Sequence, residues 1–219
     1  MRRKKVLGYP KERRRLTRYP KVFYIVDATL PSWLYDFYKH EKIWNCEKLS
    51  SAQKKRIIEI EKAISTYSLE FELDPMQLRA LMAKESSFNP NARSPKGALG
   101  LMQLLPETFH ELWSELLKQK STKQSKFPIA QPKKPSPTNI SHNTRAGAFL
   151  FSKLLLEFSV YGEKQSFELA LAAYNCGPNR IRRLLSKLKD SQNYAKEIPR
   201  ETRNHITVTN QLVALQQNL

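Results

Sequence analysis

Residues 74–90 read DPMQLRALMAKESSFNP and spell out one helix from its first cap to its stop. Asp74 is a good N-cap, Pro75 suits the first helical position, and Gln77 stands where a capping box needs it. Leu78, Leu81 and Met82 form an apolar face, and Asn89-Pro90 ends the helix near Ser87. Glu85 lies near that end, on the same side as Leu81 and Met82. Apolar neighbours and the negative helix terminus both favour a carboxyl that keeps its proton, as a general acid must. Most lone glutamates are solvated surface charges, so the context has to decide.

Working outward, the pattern stays helical. Before this helix, Ile57, Ile60, Ala63, Ile64 and Tyr67 recur at three- and four-residue spacing from Ser51 onward. After it, 91–100 holds Pro95, Gly97 and Gly100 and reads as a loop. Pro106 opens a helix carrying Phe109, Leu112, Trp113, Leu116 and Leu117. Asn143 is expected to cap a helix through Phe149 and Leu154, and Ser166 one through Leu169 and Tyr174 that Gly177-Pro178 ends. Ile181, Leu184, Leu185 and Leu188 mark a further helix, and Val208, Leu212, Val213 and Leu215 the last. Strand-like alternation and internal repeats are absent. The fold class is therefore all-α, built from short helices.

The chain has 219 residues, enough to bury a core without staples. It divides into a basic and aromatic N-terminal extension, 1–50, and a helical domain, 51–219, with a long basic, proline-rich loop at 118–142. The formal net charge is +18, and residues 1–21 supply half of it through ten basic residues against Glu12. Such a balance calls for an acidic partner and says nothing about fold. The plainer reading is a solvated arm and loop. The aromatics of 23–44, among them Phe23, Trp33, Phe37 and Trp44, are expected to pack on the domain. Cys46 and Cys176 make no disulfide framework. No run approaches the roughly 20 apolar residues of a membrane span. Val22–Leu34, broken by Asp27 and Pro31, is a poor secretory signal.

Two further segments could carry chemistry with Glu85. SPKGALGLMQ, 94–103, is a glycine-punctuated loop ending in Gln103; alone it reads as a turn with a buried glutamine. AAYNCGP, 172–178, puts Tyr174 and Asn175 at a helix end; alone it reads as a C-cap with a core tyrosine. The three segments together resemble the soluble lytic transglycosylase family in order and approximate spacing. NTRAGAFL, 143–150, and IPRETR, 198–203, extend the resemblance over roughly 55–212.

The resemblance implies a lysozyme-like helical domain with a groove for peptidoglycan glycan strands. It implies Glu85 as catalytic acid/base. Ser94, Met102, Gln103, Tyr174 and Asn175 become substrate-binding residues, and Glu201 and Arg203 a structural ion pair. It implies no cofactor, no metal, a monomer, and action in the cell envelope, the periplasm or outside the cell. Residues 1–21 are expected to help hold anionic wall polymer or the membrane surface. No Asp or Glu lies between Glu85 and Glu107, so a second carboxylate of the usual glycosidase kind is not supplied by the following loop. This fits cleavage without water, giving 1,6-anhydro-MurNAc ends. The alternatives are a lysozyme-type muramidase or an inactive peptidoglycan-binding module. A nucleic-acid-binding protein is the rival from another class; its support is charge alone, and no nucleic-acid motif accompanies it. The sequence departs from the family at Cys176, where alanine is usual, at His205, near a position where an aromatic is favoured, and in the loop before Asn143.

Overall fold

A computed structural model describes Phe37 and residues 50–120, 134–188 and 191–218. Its main helices are α1 (Ser51–Phe71), α2 (Pro75–Ser86), α3 (Pro106–Lys120), α4 (Ile140–Glu157), α5 (Glu163–Cys176), α6 (Pro178–Leu185), the short α7 (Tyr194–Glu197) and α8 (Arg200–Asn218). Single 3₁₀ turns lie at Ser159–Tyr161 and Ser191–Asn193. No strand is present among the described residues, and the all-α expectation holds.

Local chemistry accounts for the helix ends. Asp74 caps α2 through the N–H of Met76 at 2.8 Å. The reciprocal capping box expected there is found one helix earlier, between Ser50 and Gln53. Two expected caps are corrected. The N-cap of α4 is Asn139, whose side chain accepts from His142 N, and Asn143 lies inside the helix, buried. The cap position of α5 is Gly162, and Ser166 is interior, its hydroxyl bonded to the Leu155 carbonyl. Asn143 and Ser166 each lie four residues past the cap position, buried inside the helix. The loop expected over 118–142 is shorter at both ends, since α3 runs to Lys120 and α4 starts at Ile140. The last helix starts well before Val208, at Arg200.

Helix α4 packs on α1, α3 and α5; α5 also meets α6 and α8; and α8 lies along α2. Phe149, Phe151, Ala146, Ala148, Leu169 and Ala173 fill the centre. Two buried ion pairs tie the helices. Glu70 of α1 takes the Arg145 guanidinium of α4 through two hydrogen bonds. Glu61 of α1 takes Arg79 of α2 at 2.8 and 2.6 Å. Arg79 also donates to Gln216 of α8, whose amide reaches the Met76 carbonyl. Such pairs fix relative helix positions because removing one partner strands a buried charge.

Phe37 is fully buried, its ring edge-on to Phe88 at 6.3 Å, in line with packing of the extension's aromatics on the domain. The basic arm 1–21, the other aromatics of 23–44, Cys46 and most of the lysine-rich loop lie outside the described residues. Among the described residues, no helix is long and apolar enough to cross a membrane.

Candidate active site

Glu85 projects from the last turn of α2. The chain then turns sharply, with Ser87 and Phe88 at φ 49° and 58°. Two successive non-glycine residues in the left-handed region are uncommon, and burial of Phe88 holds them there. The loop 91–105 follows this turn. The Glu85 carboxylate is partly buried, with 13% of the side chain exposed, and its Oε1 lies 2.9 Å from Nε2 of His205 on α8.

Tyr174 reaches the same place from α5. Its hydroxyl donates to the Met102 carbonyl at 2.8 Å. Burial first, and then the negative charge of Glu85, push its pKa well above the ordinary value for a tyrosine, so it remains a neutral phenol. Tyr174 thus lies close enough to Glu85 to feel its charge, although 89 positions separate them in sequence. Asn175 is half-buried, and its Oδ1 accepts from the Thr202 hydroxyl at 2.8 Å, joining the end of α5 to the start of α8.

The loop beside Glu85 is held by its own hydrogen bonds. Ser94 closes a turn, its Oγ accepting from Ala98 N at 3.0 Å. Gln103, at φ 45°, folds its amide onto the carbonyls of Gly100 and Ala92. Asn143, buried inside α4, does the most. Its Oδ1 takes Met102 N at 2.7 Å, and its amide donates to the carbonyls of Leu99 and Pro137. Gly100 is required beneath it, because a Cβ there would lie 2.3 Å from the Pro137 carbonyl oxygen.

A family model described as "Transglycosylase SLT domain" matches residues 62–197, more than half of the chain. This chain belongs to that family. It is similar to the soluble lytic murein transglycosylase of Salmonella typhimurium, 34% identical over 133 residues, covering 58% of this chain and 18% of the relative. The protein of the same description from Escherichia coli K12 is 31% identical over 141 residues, covering 62% of this chain and 19% of the relative. The chain thus spans about a fifth of the length of these curated relatives. An inactive variant of the lytic transglycosylase Slt from Pseudomonas aeruginosa superposes with TM-score 0.55 at 25% identity, covering 72% of this chain and 24% of that one. The 70 kDa soluble lytic transglycosylase of Escherichia coli shares the fold, with TM-score 0.57 at 22% identity over 85% of this chain and 29% of that one.

Within this SLT domain, the residues singled out from sequence do not all present side chains to solvent. Glu85, Ser94, Gln103, Tyr174 and Asn175 are partly exposed. Met102 differs from the expectation of a groove-lining side chain. It is fully buried, packed where Gly147 leaves room, and offers the site its backbone carbonyl. The expected Glu201–Arg203 ion pair gives way to another arrangement: Glu201 is exposed, and Arg203 donates to the Ile198 carbonyl at 2.7 Å, with longer bonds to Ala195 and Lys196. Cys176 is a half-buried free thiol, and burial raises its pKa.

Two residues that the structure places in the site do not stand out in the sequence. From sequence Asn143 reads as a cap, and His205 only as a departure from an aromatic. A signal for His205 existed. Thr202, His205, Thr209, Leu212 and Gln216 recur at three- and four-residue spacing, and all are buried on one face of α8. A polar stripe on a core-facing helix needs partners inside the protein.

Proposed function

We propose that this SLT domain is a peptidoglycan lytic transglycosylase that cleaves the MurNAc-β-1,4-GlcNAc bond without water, with Glu85 acting first as acid and then as base. The observation that carries the reading is the partly buried Glu85 carboxylate at the end of α2, held by His205 at 2.9 Å and close enough to Tyr174 to influence its phenol, in a chain of this family. Glu85 keeps some exposure, so a sugar can reach it. Its approach to the glycan would be bounded by the loop 94–103 on one side and by Tyr174 and Asn175 on the other.

Proton bookkeeping closes with one carboxyl. Protonated Glu85 gives its proton to the glycosidic oxygen, and the C1–O bond breaks with its electron pair leaving on the departing sugar. The substrate's own acetamido oxygen stabilises the positive C1. The Glu85 carboxylate then takes the proton of the 6-hydroxyl as O6 bonds to C1, which restores the acid and closes the 1,6-anhydro ring. The attacking hydroxyl belongs to the same sugar, so its effective molarity can reach about 10⁵ M or more, well above what a passing water offers. Tyr174, kept as a neutral phenol, adds no second negative charge beside Glu85.

The peptidoglycan partner sets the place of action, which we take to be the cell envelope. The net charge of +18 suits an anionic polymer, and the arm 1–21 would add attraction at low salt. Mass spectrometry of a digest of purified sacculi tests the chemistry. Anhydro-muropeptides are expected. Products bearing only water-added reducing ends would make the protein a muramidase, and no release at all would leave it a wall-binding module.

A further inference from the structure

We propose that His205 is a positioning residue for Glu85: its Nε2–H donates to Oε1 and so reserves Oε2 for the proton that moves in the reaction. The inference rests on the acid-then-base reading of Glu85 and adds which oxygen does the work. His205 lies on α8, beyond the segment 62–197 that the family model matches. The residue is 97% buried by side chain, and its Nε2 is 2.9 Å from Glu85 Oε1.

The other ring nitrogen decides the tautomer. Nδ1 of His205 is buried and has no hydrogen-bond partner. A neutral imidazole carries one N–H and one bare nitrogen. Placing the hydrogen on Nδ1 would bury an unpaired N–H, and an imidazolium would do the same, whereas a bare lone pair there is the milder arrangement. The hydrogen therefore belongs on Nε2. Glu85 Oε1 must then accept from it in both charge states of the carboxyl. When Glu85 is an acid, its own proton sits on Oε2. When Glu85 is a base, Oε1 is already occupied by the imidazole N–H, and Oε2 again receives the incoming proton. One oxygen performs both transfers, and the carboxyl need not rotate between them.

The groups around this pair come from three helices. Glu85 comes from α2, His205 from α8, and Tyr174, whose phenol remains neutral, from α5. No other base is needed to set the tautomer.

Two measurements on the whole chain test this. Nitrogen-15 NMR of the imidazoles, with the His205 signals assigned by their loss in His205→Gln, should show a protonated Nε2 and a bare Nδ1 under the conditions in which sacculi are digested. An imidazolium or an Nδ1–H tautomer overturns the proposal. Turnover of sacculi should separate two replacements of similar size. His205→Gln can present an amide N–H near the position of Nε2, and His205→Phe cannot. The Phe variant should lose on the order of tenfold to a hundredfold in kcat, with KM little changed, the usual scale for a hydrogen bond to a charged group. The Gln variant should keep at least about tenfold more turnover than Phe. Equal turnover in the two variants overturns the proposal. If the Phe variant does not fold, the NMR result on the native chain decides. Should the native chain release no anhydro products, the acid-then-base reading falls, while the tautomer measurement still reports on the His205–Glu85 contact by itself.

Discussion

Arg79 of α2 donates to Oε1 of Gln216 on α8 at 2.7 Å, at the far end of the same helix pair that holds Glu85 against His205. The two contacts run in opposite sequence order along the helices, so α2 and α8 are antiparallel. The guanidinium, gripped also by Glu61, sets the register in which the carboxyl of Glu85 meets the imidazole. Arg79→Ala is expected to destabilise the domain by about 3–5 kcal/mol, because the buried Glu61 carboxylate loses its bidentate guanidinium and Gln216 loses its donor. Urea denaturation measures it. A change below about 1 kcal/mol would mean that the clamp is not what aligns the helices.

Glu85→Gln should remove cleavage by at least about 10²-fold while the fold survives, since the amide keeps the volume and cannot shuttle a proton. Zymograms on embedded sacculi and circular dichroism read the two halves of this statement. Activity close to that of the native chain would take Glu85 out of the mechanism.

Gly147 of α4 and Met102 of the site loop are packed without spare room. A Cβ on Gly147 would stand 2.5 Å from Met102 Cβ and 2.6 Å from its Cγ. Gly147→Ala therefore has to push the loop away, at about 1–3 kcal/mol. The Met102 carbonyl that takes the Tyr174 hydroxyl should move with it, so turnover should fall alongside Tm. Thermal melts and digestion rates on one preparation check the coupling. A variant with lowered Tm and undiminished rate would show that the loop's position does not matter to catalysis.

His142 links pH to stability away from the carboxyl. Its Nδ1 accepts Ser136 N at 3.1 Å, its ring lies edge-on to Trp113, and burial lowers its pKa below 6.5. Below 6.5 the unfolded chain takes up a proton that the folded chain resists. Folding stability is thus full above that value and declines as pH falls toward the lowered folded pKa. Denaturation midpoints on either side of pH 6.5 should show this decline, and His142→Gln should flatten it. An identical pH dependence in the variant would assign the decline to other groups.

Family resemblance singled out Glu85, Tyr174 and Asn175 as candidates; the local pattern of the chain was enough for the helical class, the start and stop of α2 and the turn at Gly177-Pro178. These rest on local physics: an Asp–Pro cap, three- and four-residue apolar spacing, and proline or glycine where a helix must stop. Which polar residues serve as caps was less legible, because Asn139 and Asn143, or Gly162 and Ser166, compete within one turn, and only packing decides which becomes buried. The tertiary structure alone decided that Met102 turns inward and gives the site its carbonyl, that Asn143 anchors the loop, and that His205 faces Glu85 from 120 residues away. Contacts of that kind depend on how α2, α5 and α8 are stacked, and no spacing along a single helix records the distance between two of them.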